Sequence, residues 1–399
     1  MLTTTLKATL AYEELDFRLA ERFCAVVLGA DNLYRRGQAP QAGESALRQE
    51  GLAPVDFSGA TAAPLADWVE AEAELTAIYQ DYTQVKLECR RNYMWQQVGS
   101  FRKLCRWLSG QPFTYRETVA ETMFIDANPV PAAHIEQYHR RLNQALAQAG
   151  YSGSLAGKLA AWREKRLVTE ATETEAVLRD YLAEAREKTL ALGLEPVRDF
   201  QVRPQVVFGV PYNAYCDYQA RAIYINGDVH YTRDELKHLV CHEAYPGHMT
   251  HLAQRESLVS AGRIPADAGL VLTNTASSPV FEGLADNGMA MLNWQDDSDD
   301  QICLIFNQIQ AMAALNAGHQ LHAQGAGRAA VADYLRQAAF GSESWVQSRL
   351  RYIAFPLRAP FIYSYWRGWE AIGGFWAKLD AAQRRRFIPY LYNNMHTVD

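Results

Sequence analysis

Cysteine is sparse in this sequence and never paired: the six residues, at 24, 89, 105, 216, 241 and 303, form no Cys-x-x-Cys motif and no short disulfide framework. That pattern excludes a disulfide scaffold and predicts reduced thiols in a cytoplasmic protein. Excess positive charge is missing too. With 39 Lys and Arg against 45 Asp and Glu, the formal charge is -6, which leaves no basic footprint for nucleic acid. The N-terminal Met1 to Lys7 is followed by no long apolar core and turns acidic at Glu13, Glu14 and Asp16, so neither a signal peptide nor a membrane anchor is expected. Between Pro64 and Gly110 proline is absent and glycine occurs once, at Gly99. Histidine is scarce as well, ten in 399 residues, which makes its local concentration informative.

Two of those histidines lie in Cys241-His242-Glu243-Ala244-Tyr245-Pro246-Gly247-His248. A hydrolytic zinc centre needs a few neutral nitrogen or oxygen ligands, an open position for water and a carboxylate that is not a ligand. His242, His248 and Glu243 supply such parts. At about 100° per residue, a six-residue separation sets His248 roughly 120° around from His242 in an unbroken helix, too far to share one ion. Pro246 removes a donor and disfavours helical geometry at Tyr245. A kink or π-type bulge just after Glu243 is therefore expected to swing His248 back. Thr232 and Glu235 form a capping box that starts this helix, with Leu236, Leu239 and Val240 as its buried stripe. His238 and His242, four apart on one face, make a competing chelate. Cys241 is expected in the core.

The remaining chain reads as mainly α, with a small β-sheet beside the active-site helix. A helix is expected over residues 5–35, ended by Gly37 and Pro40, followed by a Gly/Ala/Pro-rich connection to about Pro64. Trp68, Ala71, Leu75, Ile78, Tyr82, Val85 and Cys89 repeat in steps of three and four, the stripe of one long helix. Further helices are expected over 131–149, 154–166 and 170–192, with His134 and His139 surface or structural. Residues 202–210 and 222–226 are β-branched or aromatic and bounded by Pro204, Gly209, Pro211 and Gly227, hence strands. The second of these offers a free edge for a peptide substrate, with Tyr224 and Asn226 on one face either toward that substrate or simply packed within the sheet. The organisation expected is a helical scaffold over 1–195 and a catalytic region over 196–399, in one compact unit with a cleft between them.

Ser277-Ser278-Pro279 starts another helix. It carries Glu282 and Asp286 one turn apart among Phe281, Leu284 and Ala285. A carboxylate in that company is costly unless paired or metal-bound. Glu282 thus becomes the third ligand, and Asp286 the acceptor for the second N–H of a ligating histidine. His319 and His322 are expected at a solvated helix end. The aromatic C-terminal run is mostly core, yet Arg351, Arg358 and Arg367 interleave it. Arg358 and Arg367 are candidates to grip a substrate carboxylate.

The run His242-Glu-Ala-Tyr-Pro-Gly-His248 resembles the His-Glu-x-x-Pro-Gly-His-His signature of the family called domain of unknown function 885, grouped with gluzincin-type metallopeptidases. Tyr215 to Asn226 is similar to its strand-forming lead-in, Phe281-Glu282-Gly283 to its Tyr-Glu-Gly-Trp segment, and Arg351-Tyr352-Ile353-Ala354-Phe355-Pro356 to its Arg-Tyr-x-x-x-Pro run. Tyr365-Trp366-Arg367-Gly368 matches its Tyr-x-x-Gly. The likeness spans roughly residues 200 to 380. It implies His242, His248 and Glu282 as ligands of one zinc per chain and Glu243 as general base. Met249 departs from the signature, as does Leu357-Arg358 where Gly-Gln is usual. The spacing from Pro356 to Tyr365 is also longer by about three residues, which makes Tyr363 an alternative to Tyr365.

The expected function is a zinc-dependent hydrolase of peptide bonds, carboxypeptidase-like if Arg358 or Arg367 faces the cleft, with a C-terminal tyrosine steadying the oxyanion. Its partner is a peptide or small amide, not nucleic acid or membrane. A hydrolase of a non-peptide amide or ester uses the same centre, and a helical binding or scaffold protein without activity is the alternative of a different class.

Overall fold

The computed structural model describes residues 8–37, 51–210 and 212–398. The expected helix start at residues 5–7, the break at Pro40, the first part of the Gly/Ala/Pro-rich connection and the boundary at Pro211 lie outside the described residues. In chain order the first elements are α1 (Glu14–Gly37), β1 (Val55–Asp56), α2 (Trp68–Asp81), α3 (Glu88–Leu108), α4 (Tyr115–Met123), α5 (Ala132–Gln148), α6 (Leu155–Arg166), β2 (Leu167–Val168) and α7 (Ala171–Ala191). There follow β3 (Arg203–Val207), β4 (Ala214–Asp217), β5 (Ala222–Asn226), β6 (Tyr231–Thr232), α8 (Arg233–Glu243), α9 (His248–Ser260), β7 (Leu270–Val271) and α10 (Ser278–Asp286). The chain ends with α11 (Gly288–Met291), α12 (Ser298–His322), α13 (Arg328–Ala338), α14 (Glu343–Ala354), α15 (Arg358–Trp376) and α16 (Ala381–Asn393). The protein is mainly α with small sheets, as its patterning predicts.

Three segments differ from the sequence reading. Helix α1 starts at Glu14, because the backbone before it crosses to the C-terminal end, where Leu10 N–H donates to Asn394 Oδ1 at 2.9 Å. The single stripe from Trp68 is two helices: a 3₁₀ turn at Tyr82–Gln84 and an extended Val85 reset the phase. Ala71, Leu75, Ile78, Tyr82 and Val85 are buried all the same, whereas Cys89 is exposed and its neighbour Arg90 goes inward. His319 is buried rather than solvated, with Nδ1 3.0 Å from the Tyr363 hydroxyl. His322 Nε2 lies 2.6 Å from the Ile353 carbonyl oxygen. Packing of α15 against α12 buries His319, which a one-dimensional pattern does not reveal, whereas His322, at the end of α12, is exposed as expected.

Four apolar clusters form the larger part of the core. One unites α1 to α3 through Phe23, Leu75 and Phe101. A second joins α4 to α6 with α12 to α15, through Leu142, Trp162, Phe306 and Leu335. The third lies between α7, the three-stranded sheet, α8 and α9, and holds Leu178, Ile223, Ile225, Leu236 and Met249. The fourth closes α10, α15 and α16 around Leu284, Trp376 and Leu391. The second cluster crosses residue 195, and Trp162 Nε1 donates to Asp299 Oδ1 at 2.9 Å across the same position. No described helix is long and apolar enough to cross a membrane.

The larger sheet has the order β3-β5-β4, with β3 parallel and β4 antiparallel to β5. Strand β5 is therefore central and has no free edge, contrary to expectation. The edge nearest α8 is β4. Periodicity did not mark it, because four residues between two turns carry little periodic signal; the family resemblance over Tyr215 to Asn226 did cover most of it.

Candidate metal centre

Helix α8 begins with the expected reciprocal cap, the Thr232 side chain on Glu235 N–H and the Glu235 carboxylate on Thr232 N–H at 2.7 Å. Its buried face carries Leu236, Val240, Cys241 and His242. The helix then stops. Between Glu243 and His248 the chain makes an irregular turn with a cis Tyr245-Pro246 peptide, and α9 starts afresh at His248. A break and restart thus replaces the expected kink or bulge. Gly247 N–H reaches back to the Cys241 carbonyl at 3.0 Å. A β-carbon on Gly247 would collide with the carbonyl oxygens of His242 and Cys241. The turn is pinned from both sides: the Tyr245 hydroxyl donates to Phe200 O at 2.5 Å and accepts from Val202 N at 2.9 Å, and the Tyr392 hydroxyl donates to Pro246 O at 2.7 Å.

The break brings the two imidazoles edge to face, with His242 Nε2 3.1 Å from His248 Nε2. Glu282, from α10, completes a triangle: its Oε2 lies 3.4 Å from His242 Nε2 and 3.6 Å from His248 Nε2. Around tetrahedral zinc with bonds of about 2.0–2.1 Å, neighbouring ligand atoms are about 3.3–3.4 Å apart. The triangle has that size. Glu282 Oε2 is buried without a hydrogen bond, a costly state for a carboxylate that a cation relieves. The chemistry of these three donors fits a zinc ion.

Asp286, one turn beyond Glu282, has Oδ1 2.8 Å from His242 Nδ1 and 3.5 Å from His238 Nε2. The shorter distance is that of a hydrogen bond, and it is less than the ligand-to-ligand edge expected around zinc. Asp286 therefore accepts the Nδ1 proton and leaves the Nε2 lone pair facing His248 and Glu282. His238, His242 and Asp286 are also close enough for a second, overlapping group, but that arrangement would take the Asp286 hydrogen bond from His242. Burial opposes charge on His242, yet the facing Asp286, Glu282 and Glu243 carboxylates override it and raise its pKa well above the ordinary imidazole range. Burial likewise pushes Asp286 and Glu282 up, and their histidine partners win, holding both below the usual carboxylate range.

The opposite wall comes from α15. Gly283 and Gly368 meet where α10 crosses α15. A β-carbon on Gly368 would strike Pro279 O, and one on Gly283 would strike Gly368 O. That crossing puts Tyr365 on the wall of a cavity of about 980 Å³ that also takes in His242, Glu243, His248 and Glu282. The Tyr365 hydroxyl is 3.2 Å from that of Tyr352. Tyr363 points the other way, bonded to His319 and to Ala127 O. Of the two expected arginines, Arg358 lines the cavity between the Tyr352 and Phe361 rings, and burial lowers its pKa. Arg367 does not: it pairs with Asp126 at 2.9 Å and Glu370 at 3.2 Å away from the cavity.

Tyr224 and Asn226 are also off the wall. Tyr224 stacks on Tyr215, and the buried Asn226 amide donates to Val210 O and Tyr212 O, tying down the loop into β4. The edge strand itself lines the cavity, through Ala214, Tyr215 and Cys216. Burial, and then the adjacent Glu243 carboxylate, raise the Cys216 thiol pKa well above its ordinary value. Sequence reasoning missed Cys216 and Arg349, a further cavity residue on α14. The only signal for Arg349 was its position one helical turn before Tyr352.

The fold and the site together define a mainly α protein with a small sheet and one buried His-His-Glu group open to a large cavity. No family model matches the chain, and no curated protein does. Among solved structures, a crystal structure of a provisionally named lipoprotein from Colwellia psychrerythraea is similar with a TM-score of 0.51 at 17% identity, over 83% of this chain and 67% of that one. A provisionally named lipoprotein of unknown function from Shewanella oneidensis has a TM-score of 0.48 at 14% identity, over 94% of this chain and 71% of that one. The first likeness is one of fold alone.

Proposed function

We propose that this chain is a zinc-dependent hydrolase of peptide or related amide bonds. The observation that carries the proposal is the triangle of His242 Nε2, His248 Nε2 and Glu282 Oε2, with sides of 3.1 to 3.6 Å, beside a carboxylate, Glu243, that is not part of it. Only three protein donors converge there among the described residues, whereas a structural zinc site is normally closed by four. Zinc bound at this triangle supplies a Lewis acid that polarises a carbonyl and lowers the pKa of water toward about 7.

The chain's own groups account for the other needs of amide hydrolysis. Asp286 keeps the His242 proton on Nδ1, so that Nε2 stays available as a ligand. Glu243 takes a proton from the attacking water and hands it to the leaving nitrogen as the C–N bond breaks. The Tyr365 and Tyr352 hydroxyls lie on the same cavity wall and donate to the carbonyl oxygen as charge builds on it. Burial raises both phenols above their ordinary range, so each carries its proton at neutral pH.

The test is zinc content per chain after purification without added metal, for the wild type beside His248→Ala and Glu282→Ala, followed by a peptide-library digest with Glu243→Gln as control. About one zinc is expected in the wild type, with sharply weaker retention in the first two variants. Glu243→Gln should keep its zinc and lose at least about 100-fold in turnover. Equal retention by all variants, or no zinc after reconstitution, overturns the proposal.

A further inference from the structure

Arg349 stands apart from the other arginines of the interior. Arg90 is held by Asp267 at 2.6 Å, Arg166 by Asp234 at 2.8 Å, and Arg255 by the carbonyls of Ala268 and Leu270 at 2.6 Å. The Arg349 guanidinium, among the described residues, has no ion pair and no hydrogen bond, and its Nε is buried without a partner. It lies on the cavity wall with its carbon 5.5 Å from the ring centres of both Trp345 and Tyr352. Aromatic faces hold a guanidinium in place but accept none of its five N–H donors. A donor fork left open in a cavity fits a planar bidentate anion, above all a carboxylate.

Its location says which carboxylate. Tyr352, against which Arg349 packs, has its hydroxyl 3.2 Å from that of Tyr365, and both tyrosines line the same cavity as Glu282 and Arg349. The open fork thus lines the same cavity as the candidate metal centre, with the Tyr352–Tyr365 pair beside it. Arg358, against the other side of Tyr352, adds a second positive charge to the same wall.

We infer that Arg349 is a specificity-determining residue that binds the free α-carboxylate of a peptide, so that cleavage is confined to the C-terminal end of the substrate. The inference rests on the hydrolase reading above and deepens it. Trp345 and Phe361, on the cavity wall beside the two arginines, favour an aromatic or large apolar terminal residue.

Two experiments keep this claim separable from that reading. In the first, calorimetry on the zinc-loaded protein compares N-acetyl-phenylalanine, its carboxamide and N-acetyl-glutamic acid α-amide. The free acid should bind, and the two amides at least about 30-fold more weakly. Arg349→Gln should erase that difference while leaving the weak binding of the carboxamide unchanged; Arg349→Lys should restore part of it, and Arg367→Gln should behave as wild type. In the second, peptides with a free or amidated C-terminus are digested. Only the free form should be cut, and Arg349→Gln should raise KM far more than it lowers kcat.

Equal binding of acid and carboxamide by the wild type, equally tight binding of the glutamate amide, discrimination that survives in a folded Arg349→Gln, or equal cleavage of amidated peptides each overturns the assignment of Arg349. Discrimination in binding without any cleavage overturns the hydrolase reading and leaves the carboxylate site standing.

Discussion

Gly247 shows how much one backbone position controls. It is the residue that lets the chain fold back onto the carbonyls of Cys241 and His242, so a side chain there forces the break open and moves His248 away from His242. Gly247→Ala is expected to cost about 3 kcal/mol in urea unfolding and to lose zinc, with helix content by circular dichroism nearly unchanged. Normal zinc retention in that variant would mean the turn is not what holds the pair together. Asp286 acts by a subtler route, through the His242 Nδ1 proton. Asp286→Asn should weaken zinc binding by about 10- to 100-fold in a chelator competition, and an unchanged affinity would remove Asp286 from the site. Away from the centre, burial depresses His396 to about 4, partly offset by its bond to Tyr390 O. Below about pH 6.5 the unfolded chain takes up a proton that the folded chain refuses until about pH 4, so stability falls across that window as pH falls. On the order of 2 kcal/mol of the loss between pH 7 and 4.5 should vanish in His396→Gln, measured as the difference between the two pH profiles of urea unfolding.

Among the elements, the crossing of α10 and α15 decides the site as much as the metal helix does. Glu282 and Gly283 are adjacent on α10, while Tyr365 and Gly368 are one turn apart on α15, so the glycine contact sets both walls of the cavity at once. Side chains at the contact would drive the helices apart, because neither backbone can yield without moving Pro279. Gly368→Ala is expected to destabilise by about 3 kcal/mol and to reduce zinc retention through Glu282, although residue 368 touches no ligand. A normal melting temperature and full zinc content would show that the crossing adapts. The small sheet contributes differently: β5 is enclosed by its neighbours, and β4 presents the edge to the cavity.

For the molecule as a whole, the N-terminal helices are tied into the centre through buried polar links as well as apolar packing. Arg90 on α3 reaches Asp267, beyond α9, with two contacts of 2.6 and 2.8 Å, both side chains almost fully buried. A second buried carboxylate, Asp16, lies 3.8 Å from Arg90 Nε without a hydrogen bond, so removing Asp267 breaks both hydrogen bonds of the buried guanidinium but leaves part of its charge compensated, a cost of about 3 kcal/mol. Asp267→Asn should therefore lower the urea midpoint strongly, and salt should do little to mimic it, since buried pairs are weakly screened. A mild or salt-reproducible effect would place the pair in effective contact with water. Cavity residues come from far apart in the chain, from Leu159 and Arg163 on α6 to Tyr365 on α15, so loss of this tie should also loosen the site.

Local chemistry was enough to read several parts in one dimension. Thr232 and Glu235 cap their own helix, the 3.6-residue periodicity marks most helices, and Glu282 and Asp286 share a face whatever lies opposite. Each depends on neighbours within a turn or two, where side-chain and backbone geometry are set by sequence spacing. The need for a break between His242 and His248 was equally legible, because a regular helix cannot bring positions six apart together. Its form was not: the halt at Glu243 depends on Tyr245 and Pro246 being held by Phe200, Val202 and Tyr392, from other parts of the chain. The same holds for the burial of His319, the exclusion of Arg367, the choice of Tyr365 over Tyr363 and the open fork of Arg349. Which face of a helix meets a cavity, a neighbour or water is decided by packing among elements far apart in sequence, and no local periodicity encodes that partner.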